Sequence, residues 1–204
     1  MKNWFQLDNP FWIFMGKLFD MVLLSVLWLV FSLPVVTIGA STTALYYVAL
    51  KLANNEGGYT VRSFWQAFKQ NLIPGIPLGM GGMVLGAFCS FDIYICSQMG
   101  GALALLLQWI LLLLTVLLAM ISAWLFPLVA RCKTDWKHLL VMAFMMAMKN
   151  LGWTVLMLVT TLCMLAIGVF RFAPLLAIAI GAIAYIHAKI INLVWKDYHL
   201  ELVF

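Results

Sequence analysis

Charge is scarce in this chain. Of its 204 residues, 9% are Asp, Glu, Lys or Arg, and only 7 are acidic. A water-soluble domain of this size must clothe most of its surface in polar groups, and too few are present, which excludes a soluble globular enzyme or binding module. With 7 acids and 3 histidines there is little material for paired-carboxylate or acid–base chemistry. No GxSxG, Walker-type loop or HExxH occurs. The 4 cysteines, Cys89, Cys96, Cys132 and Cys163, form no CxxC or Cys/His cluster. They read as small buried hydrophobes, not as a metal site or a disulfide framework. The sequence therefore points to no catalytic residue, cofactor or metal.

What is abundant is apolar: 66% of the residues, in several uncharged runs long enough to cross a bilayer. The fold class this predicts is an all-α polytopic membrane protein, one integral domain over 1–204. It has about six membrane helices plus interfacial amphipathic helices. The net charge of +5 sits between the hydrophobic runs, so it speaks of topology and lipid headgroups rather than nucleic acid. Asp8 and Asp20 argue against a cleaved signal peptide, and the first span reads as a retained anchor.

The organising stretch is 21–50, thirty positions without a charge, interrupted by Pro34 and Gly39. Proline lacks an N–H and its ring clashes with the preceding turn, and it pushes Leu33 towards extended geometry. The stretch is predicted to be two short apolar arms folded back at Pro34, with Thr37, Ser41 and Thr42 near the turn supplying caps. The first arm, 21–33, is about 20 Å long, so the hairpin either crosses with snorkelling ends or dips in and returns. The crossing form is adopted. Before it, 1–20 reads as an amphipathic interfacial segment with Asn9 and Pro10 as a helix start.

Further spans are expected near 72–91, 102–126, 151–170 and 173–191. Gly75, Gly79, Gly82 and Gly86 form a smooth stripe that invites close helix approach, and Ala173, Ala177 and Gly181 form a second. The leucine-rich span 102–126 should face lipid. Between spans, Val61, Phe64, Trp65 and Phe68 mark a short amphipathic helix, and a methionine-rich helix is expected within 131–150. With a fold-back at Pro34, the N-terminus, 51–71, 131–150 and the C-terminus share one side. All 12 lysines and arginines except Arg171 then lie there. Basic residues accumulate in cytoplasmic loops, so both termini are predicted to be cytoplasmic, in a cell membrane.

Intramembrane charge, the usual mark of a pump, is nearly missing. An outer Asp92–Arg171 pair and His187 as a relay are weighed against plain interfacial roles, and the plain roles are preferred. The methionines read as adaptable packing.

The runs Asp8-Asn9-Pro10, 33–47 (LPVVTIGASTTALYY) and 62–71 (RSFWQAFKQN) resemble the YesL family, bacterial integral membrane proteins mostly of Gram-positive bacteria that carry a domain of unknown function. The resemblance is specific from Asp8 to about Gly75. It implies association with carbohydrate ABC transporters and carries over no catalytic residue. The expectation is an accessory membrane subunit that packs against permease helices in the lipid bilayer. An autonomous small-solute transporter or channel is the alternative, and an interfacial membrane enzyme a third reading.

Overall fold

In the computed structural model, which describes residues 10–197 apart from 57, 133 and 172, the chain forms eight α-helices and no strand among the described residues. They are α1 (Pro10–Ser32), α2 (Ile38–Ala53), α3 (Thr60–Gln70), α4 (Leu72–Met99), α5 (Ala102–Arg131), α6 (Trp136–Lys149), α7 (Leu151–Arg171) and α8 (Ala173–Asp197). Among the described residues, four stretches are long and apolar enough to cross a membrane: Phe14–Ser32, Val35–Ala53, Leu72–Met99 and Ala102–Arg131. A fifth is a bent pair, α6 with Leu151–Cys163, meeting at 97°. α7 and α8 run 21 and 25 residues, which also meets the length a span requires. The all-α polytopic class holds. Of the interfacial segment expected over 1–20, residues 1–9 lie outside the described residues.

Pro34 makes the turn expected of it. Its backbone is extended (φ −75°, ψ 107°), and a short 3-10 turn over Val35–Thr37 leads into α2. The Thr37 hydroxyl is shared between the carbonyls of Phe31 and Pro34, at 2.7 Å each. The first arm is longer than its apolar run, as the helix start expected at Pro10 implies. α1 begins at Pro10 and is about 34 Å long. Lys17 and Asp20 do not end it because both are engaged there: Lys17 Nζ donates to Asn55 Oδ1 at 2.6 Å, and Asp20 accepts from the Thr60 hydroxyl at 2.7 Å.

α2 is the hub. It packs against α1, α3, α4, α5 and α8, and 61% of its apolar window is buried, against 17% for α1 and α4 and 6% for α5. Small residues make this position tenable. Gly39, Ala40, Ser41, Thr43 and Ala44 are all buried, so backbones can approach where bulky side chains would hold them apart. α5 shows the opposite pattern. Leu103, Leu106, Trp109 and Leu113 are exposed, as expected of a face turned to lipid.

α3 departs from the sequence expectation in its facing. Its buried residues are Thr60, Phe64, Ala67 and Phe68, while Val61 and Trp65 are 50% and 43% exposed. The reason is that α3 leans on the hairpin instead of lying alone on a membrane surface. Its contact with α1 travels from Thr60–Asp20 to the Phe31 ring, whose centroid is 5.0 Å from Phe68, 5.4 Å from Trp65 and 5.6 Å from Phe64.

Asparagines make the α3–α4 and α6–α7 breaks, and in the same way. Asn71 donates from its side chain to Ala67 O and accepts at its carbonyl from Gly75 N–H. Asn150 donates to Met146 O and accepts from Thr154 N–H. Each side chain satisfies a carbonyl at the end of one helix while its own carbonyl starts the next. The α4–α5 turn uses Gly100 and Gly101 at φ +58° and +100°, conformations that cost an L side chain strain.

Several links tie one end of the bundle together. Lys17–Asn55 and Asp20–Thr60 join the start of α1 to the α2–α3 connection. Asn192 Nδ2 donates to Asn54 Oδ1 at 2.8 Å, and Arg131 Nη2 to Asn192 Oδ1 at 3.3 Å. The starts of α1 and α3 therefore share a level with the ends of α2, α5 and α8, the grouping that the distribution of basic residues requires.

Candidate functional site

The expected glycine stripe on α4 divides in two. A Cβ on Gly75 would lie 2.8 Å from Ala40 Cα, and one on Gly79 2.6 Å from Gly39 Cα. These two glycines, with Gly39 and Ala40 of α2, form a crossing at backbone contact. Gly82 and Gly86, further along α4, have open space where their Cβ atoms would be. On α8, Gly181 meets α1: its N–H donates to Ser25 Oγ at 2.7 Å, and the Ser25 hydroxyl donates to Met21 O at 2.9 Å. Ala173 and Ala177 belong to the same helix, but their side chains lie outside the described residues.

The hairpin hydroxyls do not cap free N–H groups; they zip the arms. Ser41 Oγ pairs with Ser32 Oγ at 2.6 Å, and Trp28 Nε1 donates to Thr42 Oγ1 at 3.1 Å. Thr42 also donates to Ile38 O and Thr43 to Gly39 O. In a membrane core such bonds replace partners that water would otherwise supply.

Three polar groups meet inside the bundle. Tyr46 Oη on α2 lies 3.0 Å from His187 Nδ1 on α8, and His187 Nε2 lies 3.0 Å from Thr160 Oγ1 on α7. The Thr160 hydroxyl reaches the carbonyls of Leu156 and Met157. With Thr160 donating to its own helix, His187 donates from Nε2 and accepts from Tyr46 at Nδ1, so the neutral ring joins three helices. His187→Leu is expected to cost about 1–2 kcal/mol, since interhelical hydrogen bonds in bilayers average about 0.6 kcal/mol and orphaned buried partners add to that. The check is a thermal-stability cycle with Tyr46→Phe. Strictly additive losses would show that the two groups do not act together.

A second polar node closes the bundle end. Arg131 stands 4.9 Å over the Trp195 ring and bonds Asn192, which bonds Asn54. Burial pushes the neighbouring Cys132 thiol up, and the Arg131 charge works against that shift. A raised thiol pKa is the reverse of what a nucleophilic cysteine needs. Among the described residues no group of three or more His, Cys, Asp or Glu could hold a metal ion. The side chain of Arg171, and with it the pairing to Asp92 weighed against plain interfacial roles, lies outside the described residues.

Sequence reading did not find the His187 triad, the Ser25–Gly181 contact or the Asn54–Asn192 link. Each joins residues more than 130 positions apart, and one sequence carries no signal of such pairing. The lone polar residues on otherwise apolar runs, Ser25 and His187, were the available hint.

No curated protein and no solved structure matches this chain. A family model described as "Protein of unknown function, DUF624" matches residues 21–93, the stretch that runs from α1 through the hairpin, the hub helix and α3 into α4.

Proposed function

We propose that this chain is an accessory membrane subunit of a carbohydrate ABC-type uptake system, packing against permease helices, with both termini cytoplasmic. One observation carries the reading: Gly82 and Gly86 open onto unoccupied space on α4, beside the largely exposed α5, while Gly75 and Gly79 of the same helix are consumed internally. In a bilayer, where apolar area gives no drive to associate, an outward small-residue face is the feature that lets a second protein's helix pack closely. The resemblance to the YesL family supplies the class of partner. Autonomous transport is less favoured, because the buried His187, Asn192 and Thr154 are engaged in holding helices together.

The test is affinity purification of the tagged chain from native membranes in mild detergent. A carbohydrate ABC permease subunit should copurify in constant ratio. A Gly82→Leu/Gly86→Leu double variant should lower that recovery about tenfold, equivalent to about 1.4 kcal/mol, with no loss of thermal stability. Absence of any such permease, or equal recovery by the variant, would overturn the reading. Sugar uptake by proteoliposomes holding this chain alone would replace it with the transporter.

A further inference from the structure

The edge of α3 that turns away from α2 closes a groove against α1. Leu27 and Phe31 line it from α1, and Phe64 and Trp65 from α3. Tyr59 and Arg62 also line it, and its open volume is about 660 Å³. Its floor is firm, since Phe64 is fully buried. Its inner wall is uncovered: Tyr59 is 81% exposed and Trp65, held 5.4 Å from the Phe31 ring, is 43% exposed.

The charges carried by α3 have one sign. α3 carries Arg62 and Lys69, two turns apart on one face, and no acid. Lys69 Nζ lies 4.8 Å over the Trp65 ring. Asp20, the α1 acid nearest the start of α3, accepts from the Thr60 hydroxyl, and Arg62 is exposed. An apolar trough flanked by cations matches a molecule with an anionic head and an apolar tail.

Size separates the occupants. A docking helix about 10 Å across would fill this volume in less than about two turns, which is too little purchase for a stable partner. The volume lies within the range of about 300–1,000 Å³ typical of small-ligand sites.

We propose that the α1–α3 groove seats one anionic phospholipid, its phosphate paired with Arg62 and one acyl chain laid along Leu27, Phe31 and Trp65. The site differs from the Gly82–Gly86 face and does not depend on what packs there. Each basic residue near an anionic headgroup adds about fivefold in affinity, the equivalent of about 1 kcal/mol.

Native mass spectrometry of the full chain, titrated with dioleoyl phosphatidylglycerol or dioleoyl phosphatidylcholine, tests this. The expected result is retention of phosphatidylglycerol over phosphatidylcholine by about fivefold or more. Arg62→Gln should abolish that preference, Trp65→Ala should lower retention of both lipids, and Lys137→Gln on α6 should change neither. Equal retention of the two lipids by the unaltered chain, or a preference that survives Arg62→Gln, would overturn the assignment. So would full displacement of the lipid by glycerol phosphate, which would make the groove a site for a free phosphate. Arg62 is an exposed residue whose replacement leaves the packed face of α3 intact, so the test does not depend on whether Trp65→Ala folds.

Discussion

Replacing Gly79 by valine is expected to prevent the native bundle from forming. A Cβ there would lie 2.6 Å from Gly39 Cα and 2.8 Å from Gly39 N. Both neighbours are backbone, so no flexible side chain can swing aside, and the helices themselves must part. Overpacking a core that can adjust costs about 1–3 kcal/mol. Here the element displaced is α2, on which five other helices rest, so the loss should be about 3 kcal/mol or more. The measurement is the monodisperse fraction and apparent Tm in detergent. The control lies on the same helix: Gly82→Ala places its methyl in open space. Removing a helix-interior glycine then gains up to about 1 kcal/mol of conformational entropy. The two substitutions should differ in sign. A Gly79→Val protein as stable as the parent would mean that α2 and α4 do not cross at backbone contact.

The same crossing shows how far one sequence can be read. Pro34 declared its turn because its geometry is a local property of the ring. The length and greasiness of the runs declared the spans for an equally local reason. Gly75 and Gly79 were visible as a smooth face, but a stripe of glycines does not name its partner. That the facing residues are Gly39 and Ala40, and that Gly82 and Gly86 stay uncovered, depends on where α4 passes α2. Facing of α3 was misjudged for a related reason. Val61 and Trp65 have the right period for an apolar stripe, yet Ala67 took the buried place because the hairpin already occupied one flank of the helix. The helix start at Pro10 was legible for the same local reason as the turn at Pro34, and α1 runs from there past Lys17 and Asp20, which Asn55 and Thr60 engage. Long-range polar pairs such as Tyr46–His187 were illegible, since their spacing is set by the whole fold.

Trp124→Ala should be the most damaging side-chain truncation in the bundle. The indole is completely buried, and its Nε1 donates at 2.9 Å to Thr154 Oγ1, whose hydroxyl lies 2.9 Å from the Asn150 carbonyl and 3.2 Å from that of Ala147. Trp124 therefore braces the α6–α7 break with both shape and a hydrogen bond, and magnitudes decide which matters more. Truncating a large aromatic in a close-packed interior costs about 3–5 kcal/mol, because the lost dispersion contacts are not replaced. An interhelical hydrogen bond in a bilayer averages about 0.6 kcal/mol and reaches at most about 1.7. Thr154→Val, which keeps the volume and removes the acceptor, should therefore lower stability by only about 0.5–2 kcal/mol. Trp124→Phe should fall between, losing the N–H and part of the ring. If Thr154→Val proved as harmful as Trp124→Ala in thermal unfolding, the hydrogen bond and not the packed ring would be what holds the two helices at 97°.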